Sequence, residues 1–254
     1  MSRIKDALRR GEKVIGSMIT VMNHPDIVKV MQVCGFDYVI IDCEHGSLGY
    51  DTMANLLGVA RALDFPCLVR IPDTRREFIL KYMDAGAYGF LLPNCESADE
   101  AKTLVGHALY APAGNRGVAL MRPHAGYRRP ASPVEYMQQA NDNCVLMCQI
   151  ESPAGVDNID AIMAVPGIDA AFVGPNDLSQ SYGLMGQFDH PTVVGAIEKV
   201  VASAARHGKY SGIHLGSPEQ VKHWMDKGMS LNLWANELAL MVTAAQDGLK
   251  KIRG

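Results

Sequence analysis

The sequence of 254 residues lacks the features by which membrane, secreted, nucleic-acid-binding and disordered proteins are recognised. No apolar run approaches the roughly 18 residues that a membrane-spanning helix needs. The first residues, MSRIKDALRRGEK, carry too many charges for a secretory signal, so we expect a cytoplasmic protein. The net charge of −3 leaves no basic surplus to bind nucleic acid or an anionic membrane, and the 48% hydrophobic content is too high for intrinsic disorder.

Paired cysteine motifs are also missing. The 6 cysteines form no CxxC pair, and the CxxxC spacing of Cys144 and Cys148 fits no common zinc site. Free cysteine is among the residues most often buried, so we expect these side chains to pack as small apolar groups.

The sequence does contain short, apolar, β-rich runs that alternate with helix-length stretches. The eight strand candidates are residues 14–20, 38–44, 67–71, 89–93, 144–151, 170–174, 210–215 and 230–234. Most are continuously apolar, as is typical of parallel strands covered on both faces. Eight strands alternating with helices over about 250 residues predict a single (β/α)₈ TIM barrel spanning residues 1–254. The rival, an open doubly wound sheet, would need a Gly-rich phosphate turn after its first strand, and none is present.

Capping residues mark several helix starts. Thr74, Ser97, Ser152 and Ser217 each precede a helical pattern, and Glu100 completes a capping box with Ser97. The last helix is predicted over 237–251. One irregular stretch, 111–133, holds four prolines and four arginines, and by topology it leaves the bottom of the barrel. It is predicted either to be solvated or to contact another subunit; a contact with substrate would require it to extend along the side of a neighbouring subunit.

Polar residues gather where the predicted strands end, which is where barrel enzymes carry their reacting groups. Strand two ends in Asp42-Cys43-Glu44-His45, strand three in Arg70, and strand five in Gln149 and Glu151; strand six leads into Gly174-Pro175-Asn176-Asp177, and strand seven carries His214.

The carboxylates at these ends allow two interpretations. Gln149 and Glu151 share one face of strand five, because side chains alternate along a strand. Glu151 could form a salt bridge with a nearby arginine, since a buried carboxylate needs a partner. Alternatively, Glu151 and Asp177 could bind a hard divalent cation and leave positions open for water and substrate.

Arg70 and His45 are the remaining candidates for chemistry. A guanidinium at the barrel mouth suits a carboxylate, enolate or phosphate oxygen, and the alternative is an ion pair with Glu44 or Glu151. His45 follows Asp42 and Glu44, and an acid beside the ring would leave its other nitrogen basic, which favours a role as a base over a structural one.

With these strand ends, the sequence resembles the HpcH/HpaI aldolase family, which comprises class II 4-hydroxy-2-oxoheptanedioate and 2-keto-3-deoxy sugar acid aldolases. The similar segments are FDYVIIDCEHG (36–46), PCLVRIP (66–72), PAGNRG (112–117) and the long segment CQIESPAGVDNIDAIMAVPGIDAAFVGPNDLSQSYG (148–183). The resemblance extends from about residue 1 to 250.

The resemblance implies a role for each matching residue. His45 would be the catalytic base, acting through a metal-bound water, and Arg70 would stabilise the enolate. Glu151 and Asp177 would bind Mg²⁺, Mn²⁺ or Co²⁺. Gln149 and the backbone around Gly174, Pro175 and Asn176 would hold the pyruvate carboxylate.

The resemblance also implies an acid that makes the histidine more basic and a particular assembly. Asp84 occupies the place of that acid, but it is predicted near the bottom of the third helix, far from its own His45. Either a neighbouring subunit supplies it or Asp42 serves instead. The family implies a hexamer, a trimer of dimers with the last helix swapped, so the apolar residues 238–242 would be covered by a neighbour.

The predicted function is therefore a metal-dependent aldolase that reversibly cleaves a 4-hydroxy-2-oxo acid into pyruvate and an aldehyde. The alternatives are a citrate- or malyl-CoA-type lyase, and a non-catalytic barrel that binds an oxoacid. The first would need a basic groove, for which the candidates are Arg116, Arg122, Arg128 and Arg129. The chain departs from the usual family pattern at Asn176 and at the end of strand eight, Ala235-Asn236-Glu237, where the acceptor aldehyde is expected; its identity therefore stays open.

Overall fold

Eight parallel strands close into a barrel in chain order, so that each strand pairs with its sequence neighbours and β8 pairs with β1. The computed structural model describes residues 3–254. The strands are β1 (Val14–Ile19), β2 (Tyr38–Asp42), β3 (Cys67–Arg70), β4 (Gly89–Leu92), β5 (Val145–Ile150), β6 (Ala170–Val173), β7 (Tyr210–Leu215) and β8 (Leu231–Asn236). The predicted (β/α)₈ barrel is confirmed, and each predicted strand is found close to its predicted bounds.

Helices cover the outside of the barrel. They are α1 (Arg3–Arg9), α2 (Asp26–Val33), α3 (Tyr50–Ala62), α4 (Arg76–Ala85), α5 (Ala98–Ala108), α6 (Pro133–Asn143), α7 (Pro153–Asp157), α8 (Ile159–Met163), α9 (Pro175–Ser181), α10 (Pro191–Arg206), α11 (Pro218–Asp226) and α12 (Glu237–Arg253). Among residues 3–254, no helix combines the length and the apolar character that crossing a membrane would require.

Most of the predicted helix starts are confirmed. The Ser97–Glu100 capping box is present, and the hydroxyls of Ser152 and Ser217 accept hydrogen bonds from backbone N–H groups of their helices. The predicted cap at Thr74 is wrong: α4 is preceded by Arg75, whose backbone N–H instead donates to Asp73 Oδ1 at 2.7 Å.

Strand alternation divides the core into two layers and thereby positions the site. Cys144, Leu146, Cys148 and Ile150 pack outward against the helices, whereas Val145 and Met147 point into the barrel. Gln149 has the inward parity of Val145 and Met147, two residues higher on β5. The interior is tightly filled, since a Cβ on Gly16 would lie 2.7 Å from the Tyr38 ring. Inward-facing polar residues at the carboxyl ends of the strands therefore lie close together, above a tightly packed core.

The cysteine prediction is confirmed for four positions. Cys67, Cys95, Cys144 and Cys148 are buried, Cys43 is half-buried, and all are free. Cys34 departs from the prediction, because it follows the last turn of α2 and is exposed.

The irregular stretch 111–133 is more ordered than a solvated loop. It contains a short 3₁₀ helix, Pro123–Ala125, and it buries the side chains of Arg116 and His124. Arg116 lies with its guanidinium 4.5 Å from the Tyr110 ring centre and donates to Asp84 Oδ1 at 2.9 Å. The loop is therefore anchored to the outer helices of the barrel.

The last helix has little cover within the chain. Of its residues only Glu237 is buried, while Met241 is 52% and Ile252 is 82% exposed. Leu238, Met241, Val242, Ala245, Leu249 and Ile252 recur at helical spacing and form one apolar stripe along α12. A single chain leaves this stripe in water.

Candidate active site

The centre of the site is an ion pair between the ends of β2 and β3. Asp42 and Arg70 are register partners in the strand ladder. Arg70 donates from Nε to Asp42 Oδ1 at 2.9 Å and from Nη2 to Asp42 Oδ2 at 2.6 Å, and Asp42 is only 1% exposed. The planar guanidinium is thus fixed by two parallel bonds, which is the geometry in which arginine binds carboxylates most specifically.

The loop after β2 wraps around the same carboxylate. Asp42 Oδ1 also accepts the backbone N–H of Glu44 at 3.1 Å and of His45 at 3.2 Å. Glu44 Oε2 lies 3.1 Å from Arg70 Nη1 and 3.9 Å from His45 Nε2. Asp42 therefore positions the His45 backbone, and the carboxylate nearest to the imidazole is Glu44. The His45 side chain is exposed at the mouth of the barrel.

Burial and charge act oppositely on these two acids. Burial alone would raise the pKa of Asp42, but the hydrogen bonds and charge of Arg70, together with the two backbone N–H groups, lower it overall. Burial raises the pKa of Glu44, and the attraction of Arg70 and His45 offsets this only in part. Asp42 is therefore a fixed anion that holds Arg70 in place.

A second polar group lies at the ends of β5 and β6. Glu151 is 3% exposed, and its Oε1 accepts the backbone N–H of Asn94 at 2.8 Å while its Oε2 accepts Gln149 Nε2 at 2.5 Å. The side-chain oxygen Gln149 Oε1 is buried and has no hydrogen-bond partner among the described residues. An unpaired buried acceptor is costly, so it points to a missing ligand group.

The carboxylates near β5 suit a cation. Burial raises the pKa of Glu151, and the neighbouring carboxylates of Asp177 and Glu44 raise it further, against the bonds from Asn94 and Gln149. Within residues 3–254 no three or more His, Cys, Asp or Glu side chains are grouped closely enough to hold a metal by themselves. Two hard oxygen donors in mutual repulsion nevertheless match Mg²⁺ or Mn²⁺, which commonly keep several non-protein ligands.

These groups open into one cleft of about 260 Å³ at the carboxyl ends of the strands. Eight of the predicted site residues line it: Asp42, His45, Arg70, Gln149, Gly174, Pro175, Asn176 and Asp177. Glu151 lies directly behind, bonded to Gln149. His214 and Asn236 also line the cleft, as do Met18 and Thr20, two residues that no sequence pattern had indicated.

Asp84 is not part of this cleft in a single chain. It lies near the end of α4, where it accepts a bond from Arg116 and has His124 Nε2 at 3.6 Å. Burial lowers the pKa of His124 to about 4, and the nearby Arg116 contributes. Asp84 therefore anchors the 111–133 loop within its own chain.

Two structural residues near the site were not recognised from the sequence. The carboxylate of Glu237, at the start of α12, accepts backbone N–H groups of Thr20, Val21 and Met22 at 2.7–3.1 Å. Asn94, with φ of +46°, supplies the N–H that holds Glu151. A local signal existed only for Asn94, because asparagine tolerates left-handed backbone better than most residues.

Gly174 is predicted to tolerate no side chain. A Cβ there would overlap Glu151 Oε2 and lie 2.7 Å from Gln149 Nε2. We expect Gly174→Ala to lower kcat/KM by about 100-fold or more, since small displacements of reacting groups are costly. Gly195→Ala, on the exposed face of α10 with no atom nearby, is the matched control. Steady-state kinetics that left Gly174→Ala as active as Gly195→Ala would contradict this account.

Comparisons with known proteins identify the same family over nearly the whole chain. The sequence pattern of a family described as HpcH/HpaI aldolase/citrate lyase matches residues 18–244. A 5-keto-4-deoxy-D-glucarate aldolase of Klebsiella pneumoniae is 34% identical over 253 residues, covering 98% of this chain and 97% of the relative. The structure of an HpcH/HpaI aldolase from Desulfitobacterium hafniense superposes with a TM-score of 0.93 at 35% identity, covering 98% and 96% of the two chains. The structure of a citrate synthase superposes with a TM-score of 0.88 at 25% sequence identity, covering 98% of this chain and 97% of that chain.

Proposed function

The chain belongs to the HpcH/HpaI aldolase/citrate lyase family, and from this premise we propose that it reversibly cleaves a 4-hydroxy-2-oxo acid into pyruvate and an aldehyde. The enzyme class, an aldolase, is that of the relatives which it matches over its full length. The observation that carries the proposal is the meeting, in one cleft, of the buried Arg70 guanidinium with Gln149 and the carboxylate of Asp177.

The proposed chemistry creates a negative charge that the site must neutralise. In the cleavage direction a base removes the proton of the C4 hydroxyl, and the C3–C4 bond breaks. Its electron pair passes to the C2 carbonyl as an enolate, the aldehyde leaves, and C3 takes up a proton. Arg70, held rigid by Asp42, provides a preorganised positive charge for the enolate oxygen. We assign the proton transfers to His45, which faces the cleft and is exposed.

The remaining residues are assigned to binding. Gln149, with the backbone of Gly174, Pro175 and Asn176, would hold the pyruvate carboxylate. Glu151 and Asp177 would hold a divalent cation, either Mg²⁺, Mn²⁺ or Co²⁺. When bound, this cation would supply Lewis-acid charge at the keto oxygen. No lysine is among the described residues that line the cleft, which favours this electrostatic route over a Schiff base.

The substrate class is tested by direct cleavage. A matched relative is named for 5-keto-4-deoxy-D-glucarate, so we propose a 4-hydroxy-2-oxo sugar acid as the substrate. Purified protein with Mn²⁺ should release pyruvate from that compound or from 4-hydroxy-2-oxoheptanedioate, measured with coupled lactate dehydrogenase. Release from neither, with any of the three cations, would refute the proposed substrate class.

The alternative of a CoA-ester lyase has less support from the charged residues. Of the four arginines predicted to form a basic groove, Arg116 is buried and bonded to Asp84. The remaining three, Arg122, Arg128 and Arg129, are exposed on the 111–133 loop. Faster release of product from malyl-CoA or citryl-CoA than from the free oxoacids would reverse this choice. A non-catalytic barrel would bind pyruvate equally well in EDTA and cleave none of these compounds.

We also propose a homo-oligomer, a hexamer built as a trimer of dimers, in which α12 packs on a neighbouring subunit. The support is the apolar stripe on α12, which one chain leaves exposed. Asp84 and the 111–133 loop would then be available to act across a subunit boundary.

The oligomer gives a prediction for Met241→Glu. A charge placed in the stripe, which the proposed assembly would bury, should reduce the mass, measured by light scattering, from about six times 27.6 kDa to that of a smaller species. Thr243→Glu adds the same charge to an exposed position on another face of α12 and should leave the mass unchanged. A wild-type protein of monomer mass would contradict the proposed assembly.

A further inference from the structure

His214 is a half-buried polar residue of the cleft that the proposed chemistry does not use. It lies on β7, and its ring lines the cleft together with Asn236 of β8 and Thr20 after β1. The pyruvate- and cation-binding groups proposed above come instead from β3, β5 and the loop after β6. His214 and Asn236 thus belong to the part of the rim at β7, β8 and β1, which those groups leave to the second fragment of a cleaved substrate.

The hydrogen bond of the ring fixes its protonation. His214 Nε2 lies 2.9 Å from the carbonyl oxygen of Ala235, and a carbonyl can only accept, so Nε2 carries the proton. Burial lowers the pKa of His214, and the positive charge of Arg70 lowers it further. The hydrogen bond to the Ala235 carbonyl and the charge of Asp42 raise it, but they do not cancel the decrease. The ring is therefore neutral near pH 7, and its Nδ1 is an unprotonated acceptor.

The local backbone is shaped to hold this arrangement. Ala235 has φ of +53°, a left-handed conformation that is unfavourable for a residue with a Cβ. Its carbonyl accepts both His214 Nε2 and, at 3.3 Å, Ser17 Oγ of β1. The Ala235 carbonyl is thus bonded from both neighbouring strands, β7 and β1, and it fixes the orientation of the His214 ring through Nε2.

Two hydrogen-bonding atoms remain available at this part of the rim. Nδ1 of His214 has no hydrogen-bond partner among residues 3–254. Asn236 uses its Oδ1 to cap α12 by accepting the Ala239 N–H at 2.8 Å, which leaves its Nδ2 free in the described chain. A hydroxyl group both donates and accepts, so an acceptor beside a donor is complementary to hydroxyl groups and not to a hydrocarbon chain.

Resting on the proposed aldolase function, we infer that His214 and Asn236 form a specificity subsite that binds a hydroxyl group of the aldehyde fragment. The site would therefore select hydroxyaldehydes, and a site built to bond a hydroxyl rejects an analogue lacking it because its buried polar groups stay unpaired. His214 is assigned a role in binding and not in proton transfer.

The test compares matched aldehydes. Addition of pyruvate, with Mn²⁺, is measured to glycolaldehyde against acetaldehyde and to glyceraldehyde against propanal, in wild type and His214→Leu. Leucine removes both ring nitrogens and with them the Nδ1 acceptor, while the Ala235 carbonyl keeps its hydrogen bond from Ser17 Oγ. We expect wild type to favour the hydroxylated partner of each pair, and the variant to lose about tenfold of that preference, mainly through the KM for the aldehyde.

A second variant and an aldehyde-free reaction keep the test decisive. Asn236→Asp retains the oxygen that caps α12 but removes the Nδ2 donor, and it should also reduce the hydroxyl preference. Exchange of pyruvate methyl protons in D₂O without aldehyde reports the enolate step alone. Unchanged preference in both variants, with exchange intact, would overturn the subsite alone. Absence of exchange in wild type would overturn the aldolase proposal and the subsite with it.

Discussion

Replacing Arg70 with alanine is expected to abolish aldol cleavage and to destabilise the fold at the same time. Removal of one preorganised donor to a developing oxyanion typically costs about 10²–10³ in kcat. Asp42 would also lose both of its charged hydrogen bonds while remaining buried, and breaking a buried ion pair from one side costs about 3–5 kcal/mol. Coupled pyruvate assays and urea unfolding measure the two effects separately.

A double variant separates catalysis from stability at this position. In Arg70→Met with Asp42→Asn, neither member of the pair is left as an unpaired charge. We expect much of the unfolding free energy to return while activity stays absent. If Arg70→Ala retained near-normal exchange of pyruvate methyl protons, the assignment of Arg70 to the enolate would be wrong, whatever its effect on stability.

The second large effect is expected for Glu151→Gln. The substitution keeps the size of the side chain, and its amide oxygen can still accept the Asn94 N–H. Turning the Gln149 amide would present its unpaired Oε1 to the new amide, so the fold should be retained. The charge is lost, however, and we expect affinity for Mn²⁺ to fall by about 100-fold, with loss of cation-dependent cleavage.

Cation binding is best measured without reference to activity, for example by the paramagnetic resonance signal of free Mn²⁺ during titration. Asp177→Asn should behave similarly, because the same cation is assigned to both carboxylates. Glu135→Gln removes one negative charge from an exposed position on α6 and serves as the control. Equal Mn²⁺ affinity in wild type and Glu151→Gln would remove Glu151 from the proposed cation site.

The strands and the gathering of polar residues at one rim could be predicted because they depend on local patterns. Continuous apolar runs marked the strands, and the period of two placed Gln149 and Glu151 on one face. The partner of Arg70 could not be read in the same way. It depends on the lateral register of β2 and β3, which sets Asp42 beside Arg70, whereas the sequence suggested Glu44 or Glu151. Glu44 is a weaker second partner, at 3.1 Å.

Contacts between segments that are distant in the chain could not be predicted from the sequence either. Glu237 binds backbone N–H groups after β1, more than 200 residues away in the sequence. Because every residue except proline carries such an N–H group, the residue types there do not indicate the contact. Asp84 is paired by Arg116 of a loop whose path no periodicity predicts. Whether Asp84 supports the His45 of a neighbour stays a prediction, and it requires the assembled oligomer.

The central claim, that this cleft forms an enolate from pyruvate with a divalent cation, has one direct test. Pyruvate is incubated with the protein in D₂O without any aldehyde, and its methyl signal is followed by proton NMR. The account predicts loss of the signal with Mg²⁺, Mn²⁺ or Co²⁺, no loss in EDTA, and no loss with Arg70→Ala. A methyl signal that persists with all three cations, or one that disappears equally fast in EDTA, would contradict it.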